Sequence, residues 1–224
     1  MTRVIVTGGS SGIGGSVVRA LADLKVETLA IARQQKPLDA VRAHAPELIQ
    51  TQAVDFSSPQ SITFQGTHIV HAAGVATPFG PIDTLTQEDL THFWTTHVMV
   101  LHNLLHSLET TRLKRILVID SESAYQPRNG WSGYSVSKAA LAMYARCLAT
   151  ELPVLVRLIK PGAVNTSLLQ AVINAPKGEF PDSDLFRELK KTSQLRDSDT
   201  IGVALVNMLL NTNETDFLFR EFTL

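Results

Sequence analysis

The stretch Arg3-Val-Ile-Val-Thr-Gly-Gly-Ser-Ser-Gly-Ile-Gly-Gly15 decides the fold. Its first five residues are apolar and β-branched in the middle, which predicts a short buried strand. The glycines and serines from Gly8 to Gly15 predict a tight turn, and Ser16–Leu24 continues with apolar residues at helical spacing. A strand, a glycine turn and a helix in this order predict the first half of a βαβ unit.

The rest of the chain repeats this alternation. Further strands are predicted at Glu27–Ala32, Leu48–Val54, His68–Ala73, Arg115–Ile119, Val154–Ile159 and Asp216–Phe219. Helices are predicted at Pro37–Ala45, Thr86–Thr110, Gly133–Glu151, Asp184–Thr192 and Asp199–Leu210, with loop-rich segments at 57–66, 75–83 and 161–181. The pattern predicts a doubly wound α/β fold, with a parallel sheet of about seven strands and helices on both faces. The 224 residues contain no repeat or linker, so residues 1–224 are predicted to be a single domain.

Composition excludes several classes of protein. The formal net charge is −1 and only Lys190 and Lys191 form a basic doublet, so no nucleic-acid partner is expected. No apolar run approaches the length of a membrane span or a signal sequence, which predicts a cytoplasmic protein. The one cysteine, Cys147, is expected to be a small buried thiol. His102 and His106 are four residues apart on a predicted helix, but no other ligand cluster accompanies them, so no metal site is expected.

The glycine turn and the end of the second strand together predict a dinucleotide site. Glycines allow close approach of the backbone to a pyrophosphate, and the following helix offers unpaired N–H groups and a positive dipole end. A carboxylate that binds a ribose hydroxyl is expected at the end of the second strand, but Arg33 stands there, with Lys36 nearby. A guanidinium suits a 2′-phosphate, which predicts NADP(H) rather than NAD(H).

A candidate catalytic pair opens the helix that follows the fifth strand. Tyr134 and Lys138 are four residues apart and therefore share a helix face. An ammonium group beside a phenol favours the phenolate, so the pKa of Tyr134 is expected to be lowered, which would suit proton transfer to a carbonyl oxygen. Ser121 is expected to end the fifth strand, at the sheet edge where ligands bind, and to hold the substrate oxygen.

With these motifs in family order, the chain resembles the single-domain short-chain dehydrogenases/reductases, which have the Rossmann fold. The matching residues are Thr7-Gly8-x-x-x-Gly12-x-Gly14, Asp55, Ala73-Gly74, Ser121, Tyr134-x-x-x-Lys138 and Pro161-Gly162-x-x-x-Thr166. The resemblance implies that Lys138 also binds the nicotinamide ribose. It implies a full cofactor-binding set of Gly8, Ser10, Ser11, Gly12, Ile13, Gly14, Arg33, Asp55, Phe56, Ala73, Gly74, Tyr134, Lys138, Pro161, Gly162, Val164 and Thr166.

A closer similarity, to the benzil reductase and sepiapterin reductase-like group, rests on residues 130–138 and 161–170. It implies that NADPH reduces a small, apolar ketone or diketone, with Tyr134 as general acid, in a homodimer or homotetramer. A substrate lid is expected at about residues 167–195, and Trp131 is expected to border the substrate pocket or to pack the loop. Two alternatives stay open: an alcohol dehydrogenase working in the oxidative direction, and a non-catalytic NADP(H)-binding sensor or scaffold.

Several positions depart from the family pattern. His71-Ala72 replaces the usual Asn-Asn, and His97 replaces an asparagine that in the family helps to hold a water linking the lysine to solvent. His97 is therefore a candidate catalytic residue in a proton relay, and the alternative is a buried histidine hydrogen-bonded to the backbone.

Asp120 and Glu122 flank Ser121 where relatives are usually neutral. Strand alternation would point both carboxylates away from Ser121, with Asp120 paired in the core.

Overall fold

A computed structural model describes residues 2–56, 58, 60–211 and 219–223, the residues 219–222 by their main chain alone. Its strands are β1 Arg3–Thr7, β2 Glu27–Ala32, β3 Ile49–Ala53, β4 His68–His71, β5 Arg115–Ile119, β6 Leu155–Lys160 and β7 Phe219–Thr223. Within the described residues they form one sheet in the order β3-β2-β1-β4-β5-β6-β7, and every pairing is parallel. The order reverses direction between β1 and β4, which is where such sheets bind ligands.

The helices cover both faces of the sheet. They are α1 Gly12–Asp23, α2 Gln35–Arg42, α3 Gln87–Trp94, α4 Val100–His106, α5 Ser132–Glu151, α6 Ser167–Ile173, α7 Ser183–Lys191 and α8 Ser198–Leu210. None of the described helices is long and apolar enough to cross a membrane.

Alternate side chains of one strand build two separate cores. Ile5 of β1 packs with residues of α4 and α5, whereas Val4 and Val6 pack with residues of α1, α2 and α8. The side chains of Val4, Ile5 and Val6 are all fully buried. Because successive strand residues point to opposite faces, burial of both sets requires helices on both sides, and the doubly wound fold class is confirmed.

The longest predicted helix, Thr86–Thr110, is interrupted. Its start is confirmed: the Thr86 hydroxyl accepts the Asp89 N–H at 3.1 Å and the Asp89 carboxylate accepts the Thr86 N–H at 3.0 Å, which is a capping box. A π-helical turn at Thr95–Met99 then separates α3 from α4, and α4 ends at His106. Such turns are rare and occur often at functional sites.

Other boundaries also differ from the prediction. Helix α1 begins inside the predicted glycine turn, at Gly12, and α6 lies in a segment predicted to be loop-rich. The thiol of Cys147 is exposed rather than buried, because its position on α5 faces away from the sheet. Most of the last predicted strand, residues 216–218, lies outside the described residues, and β7 extends over Phe219–Thr223.

Candidate active site

A cavity of about 990 Å³ lies along the carboxyl edge of the sheet. It runs from the glycine turn and Arg33 past Gly74 to Tyr134 and Lys138. Every residue predicted to bind the cofactor lines this cavity, and so does Ser121. His97 is the one predicted site residue that does not line it. Apart from His97, the fold therefore brings the predicted cofactor and catalytic residues to a single site, from the loops that follow strands β1 to β6 and from the start of α5.

The glycine turn fits an anionic group. Ser11 is the N-cap of α1 but makes no side-chain capping bond, and the first turn of the helix contains no acidic residue. Its N–H groups and the positive end of the helix dipole are therefore available to a pyrophosphate. A Cβ atom at Gly14 would lie 2.3 Å from the carbonyl oxygen of Gly8, so the turn can be this tight only with glycine there.

Arg33 directly follows β2 and is exposed at the far end of the cavity, where Asp55 and Phe56 also line it. Asp55 is exposed and Phe56 is buried. These side chains offer a cation, a carboxylate and an apolar ring to the adenosine half of a dinucleotide. Together with the glycine turn and with Tyr134 and Lys138 at the other end of the cavity, they fit a nicotinamide dinucleotide.

Ser121 does not end a strand, contrary to the prediction. Strand β5 stops at Ile119, and the Ser121 hydroxyl caps a short 3-10 turn at Glu122–Ala124 by accepting the Ser123 N–H at 3.2 Å. Strand alternation therefore does not apply here, and Asp120 and Glu122 line the same cavity as Ser121. The Asp120 carboxylate is buried and accepts the Tyr125 hydroxyl at 2.9 Å.

Tyr134 and Lys138 lie one turn apart near the start of α5 and are 6% and 4% exposed. Burial raises the pKa of Tyr134 to about 12, although the hydrogen bond with Ser121 acts to lower it. The predicted lowering of this pKa is therefore wrong. The Lys138 ammonium group lies 5.9 Å from the centre of the Tyr134 ring and donates to the Ile119 carbonyl at 2.8 Å. Burial also lowers the pKa of Lys138, to about 8.

Trp131 packs directly on Tyr134, and it both borders the cavity and packs its loop. Its indole stacks on the Tyr134 ring with centroids 4.0 Å apart and planes 8° apart. Its ring centroid also lies 5.3 Å from that of Phe180 and 6.3 Å from that of Phe186. The indole N–H donates to the Ala76 carbonyl at 2.7 Å. An apolar cluster therefore connects Tyr134 with the segment predicted to be a lid.

Sequence reasoning missed one wall of the cavity. Helix α3 and the π-helical turn contribute Gln87, Glu88, Thr91, His92, Thr95 and Thr96. These residues share one helix face, since they are spaced by four. The spacing was visible in the sequence, but which face meets the sheet edge depends on tertiary packing. Lys160 was also missed, and it forms an ion pair of 3.6 Å with Glu122.

His102 and His106 lie side by side, with ring centroids 4.2 Å apart. The Nδ1 atom of His102 is 2.9 Å from the Tyr144 hydroxyl, and Nδ1 of His106 donates to the His102 carbonyl at 3.0 Å. In the part of the chain that the structure describes, no group of three or more possible ligands could hold a metal ion.

Comparison with known proteins gives a family match over most of the chain. The family model described as short chain dehydrogenase matches residues 2–177. The benzil reductase ((S)-benzoin forming) of Bacillus subtilis is 26% identical, over 99% of this chain and 100% of that protein. The enzyme of the same name from Bacillus cereus is 25% identical, over 93% of this chain and 94% of that protein. Among solved structures, the KRED1-Pglu enzyme superposes with a TM-score of 0.88 at 24% identity, covering 97% of this chain and 98% of that one.

Proposed function

The chain belongs to the short-chain dehydrogenase family, and from that membership we propose that it is a carbonyl reductase that uses NADPH. Family membership and the benzil reductase relatives support a carbonyl oxidoreductase with a nicotinamide cofactor. The observation that carries the proposal is the convergence of Ser121, Tyr134 and Lys138 with all the predicted cofactor residues on one cavity.

The protonation state of the free site is the one that reduction needs. A phenol with a pKa of about 12 is protonated at neutral pH, so Tyr134 carries the proton that a general acid must supply. Lys138, with a pKa of about 8, is mainly cationic at pH 7 and stabilises negative charge that develops on the phenol. When bound, the nicotinamide supplies the hydride. Ser121, which is hydrogen-bonded to Tyr134, orients the substrate oxygen.

The preference for NADPH rests on Arg33. This side chain is exposed at the adenosine end of the cavity, directly after β2, where a carboxylate would bind the ribose hydroxyl of NADH. A guanidinium there can bind the 2′-phosphate of NADPH, and NADH has no phosphate at that position.

The substrate of this proposal is a small, apolar ketone or diketone similar to benzil or sepiapterin. The cavity near Tyr134 is lined by the apolar side chains Trp131, Leu168, Leu169, Leu185, Phe186 and Leu189. Most of them belong to α6 and α7, which lie in the segment 167–195 that we propose as the lid of a single domain. Glu88 adds a negative charge to the cavity, whereas the charge of Glu122 is offset by its ion pair with Lys160. A cytoplasmic homodimer or homotetramer is part of the same proposal.

The test is oxidation of NADPH, followed by absorbance, with benzil, other diketones, aromatic ketones and sepiapterin. We expect turnover with NADPH, weaker turnover with NADH, and a loss of at least about 100-fold in kcat for Tyr134→Phe, because the general acid is removed. Tyr144→Phe is the matched control, since this half-buried tyrosine on α5 lies outside the cavity.

Two outcomes would replace the proposal. Faster alcohol oxidation with NADP⁺ than ketone reduction, compared at equal driving force, would assign the enzyme to the oxidative direction. Tight NADPH binding with no turnover in either direction would favour a sensor or scaffold. Full turnover by Tyr134→Phe would contradict the mechanism outright.

A further inference from the structure

Four buried polar side chains form a connected unit behind the active site. They are Thr7 on β1, His71 on β4, His97 in the π-helical turn and Ser137 on α5, and none is more than 4% exposed. Hydrogen bonds connect Thr7 to His71, His71 to His97 and His97 to Ser137. Because every hydrogen bond pairs one donor with one acceptor, these contacts indicate which ring nitrogens carry a proton.

The protons on His97 are fixed by its two partners. The Val75 N–H can only donate, and it points at Nε2 of His97 at 3.1 Å, so Nε2 carries a lone pair. The ring is then neutral, and its one proton is on Nδ1, which donates to the Ser137 hydroxyl oxygen at 2.8 Å. The Ser137 hydroxyl in turn donates to the main-chain carbonyl of Tyr134 at 2.8 Å.

The same reasoning fixes His71. The carbonyl oxygen of His97 can only accept, and it lies 2.9 Å from Nε2 of His71, so that nitrogen carries the proton. The other ring nitrogen, Nδ1, lies 2.8 Å from the Thr7 hydroxyl oxygen, and the hydroxyl donates to it when the ring is neutral. The π-helical turn breaks the regular helical ladder, and His71 provides a donor to one of its carbonyl groups. In their neutral forms the two histidines therefore hold opposite tautomers.

Burial and nearby cations keep them neutral. Burial lowers the pKa of His71 to about 4, and the Lys138 cation acts in the same direction. Burial also holds the pKa of His97 well below its ordinary value, helped by Lys138, His71 and His92. Together with Tyr134, whose ring meets His97 edge-on, these are the titratable groups that face the pair, and they come from α5, β4 and α3. A second proton on His97, at Nε2, would also break the hydrogen bond from the Val75 N–H.

We propose that His71 and His97 are positioning residues that act as one permanently neutral unit and take no part in proton transfer. The unit ties the end of β1 and the loop after β4 to the turn of α5 that carries Tyr134. The loop lies directly on the imidazole, since a Cβ atom at Gly74 would be 3.1 Å from Nε2 of His97. The His97 ring also meets Tyr134 edge-on, with centroids 5.4 Å apart. The inference rests on the proposed function for the role of Tyr134.

The proton positions can be measured without any activity. Nitrogen-15 NMR of the histidine rings distinguishes the two neutral tautomers and the cation, and His71→Asn and His97→Asn assign the signals. We expect a proton on Nδ1 of His97 and on Nε2 of His71, unchanged from pH 5.5 to 8.5, while free histidine added to the sample titrates. A signal of His97 that titrates in this range, or the opposite tautomers, would overturn the proposal.

Kinetics separate positioning from relay and from mere stability. His97→Leu removes both ring contacts, and we expect kcat per bound NADPH to fall about 10–100-fold with KM within twofold, since small misplacement of a catalytic group is costly. His97→Asn keeps a donor that can reach Ser137, and we expect it to recover most of the loss. The shape of the pH profile of kcat is expected to stay the same in both variants.

Each other outcome counts against the proposal. A pH profile of altered shape in His97→Leu would indicate a proton relay. An unchanged kcat per bound NADPH, with only the free energy of unfolding reduced, would indicate a purely structural role. If the wild-type chain reduces no carbonyl compound, the proposed function fails, whereas the NMR spectrum still decides the state of the histidine pair.

Discussion

Arg33 gives the most direct test at the scale of a single residue. Its guanidinium is the exposed cation at the adenosine end of the cavity. For Arg33→Ala we expect kcat/KM for NADPH to fall about 10–100-fold, the equivalent of one or two charge-assisted hydrogen bonds, with kcat/KM for NADH within about threefold. Arg42→Ala is the control, because Arg42 is exposed at the end of α2 and outside the cavity. An equal fall in kcat/KM with both cofactors would show that Arg33 does not distinguish the 2′-phosphate.

Sequence spacing was sufficient to place the candidate catalytic side chains on one helix face, but it did not predict their electrostatics. Tyr134 and Lys138 share a helix face because they are four residues apart, and the structure places both on the cavity. The direction of the tyrosine pKa was wrong because burial is a tertiary property that the sequence does not show. Burial outweighs the hydrogen bond with Ser121, and the Asp120 carboxylate acts in the same direction as burial. For the same reason, the sequence left the role of His97 open between relay and buried hydrogen-bonded histidine.

At the scale of elements, β4 is a strand with two buried histidines. The pKa of His71 falls from 6.5 to about 4 on folding, so between these values the unfolded chain binds a proton that the native chain does not. Stability therefore falls as the pH is lowered from about 6.5 to 4. In this pH range we expect His71→Asn to reduce the slope of the free energy of unfolding against pH by about 1.4 kcal/mol per pH unit. The free energy of unfolding is measured by urea titration at each pH. The exposed His106→Asn is the control, and an unchanged slope in His71→Asn would contradict the assignment.

Strands were predicted more closely than helix interruptions. Strands β1, β2 and β5 have the predicted bounds, because short apolar β-branched runs between turns leave little freedom. The π-helical turn at Thr95–Met99 has no such signal, since a continuous apolar stripe fits either geometry. Helix α6 was missed although Thr166 caps it by accepting the Leu169 N–H at 3.3 Å. A threonine before an apolar run is an N-cap signal, but seven residues are too few to show helical periodicity.

At the scale of the whole molecule, the outer face of α5 exposes large apolar side chains. Val136 and Met143 are 62% and 56% exposed, and they share one face because they are seven residues apart. Leu90 and Trp94 on the neighbouring α3 are 47% and 46% exposed. Such a patch supports the proposed homo-oligomer. We expect Met143→Glu to shift the mass measured by light scattering towards the monomer, because a carboxylate would be buried without a partner.

Val203→Glu is the matched control for that experiment. Val203 is 51% exposed on α8, which packs on the opposite face of the sheet. The same mass for wild-type and Met143→Glu proteins, or an equal effect of both variants, would argue against assembly through α5.

The chain has one cysteine, and its thiol is exposed four residues beyond Met143, on the same face of α5. A maleimide dye would therefore attach at a single defined position without any engineering. If two copies associate through this face, alkylation slows as the protein concentration rises. Cys147 thus makes the wild-type chain its own optical reporter of self-association, on the helix that also carries Tyr134.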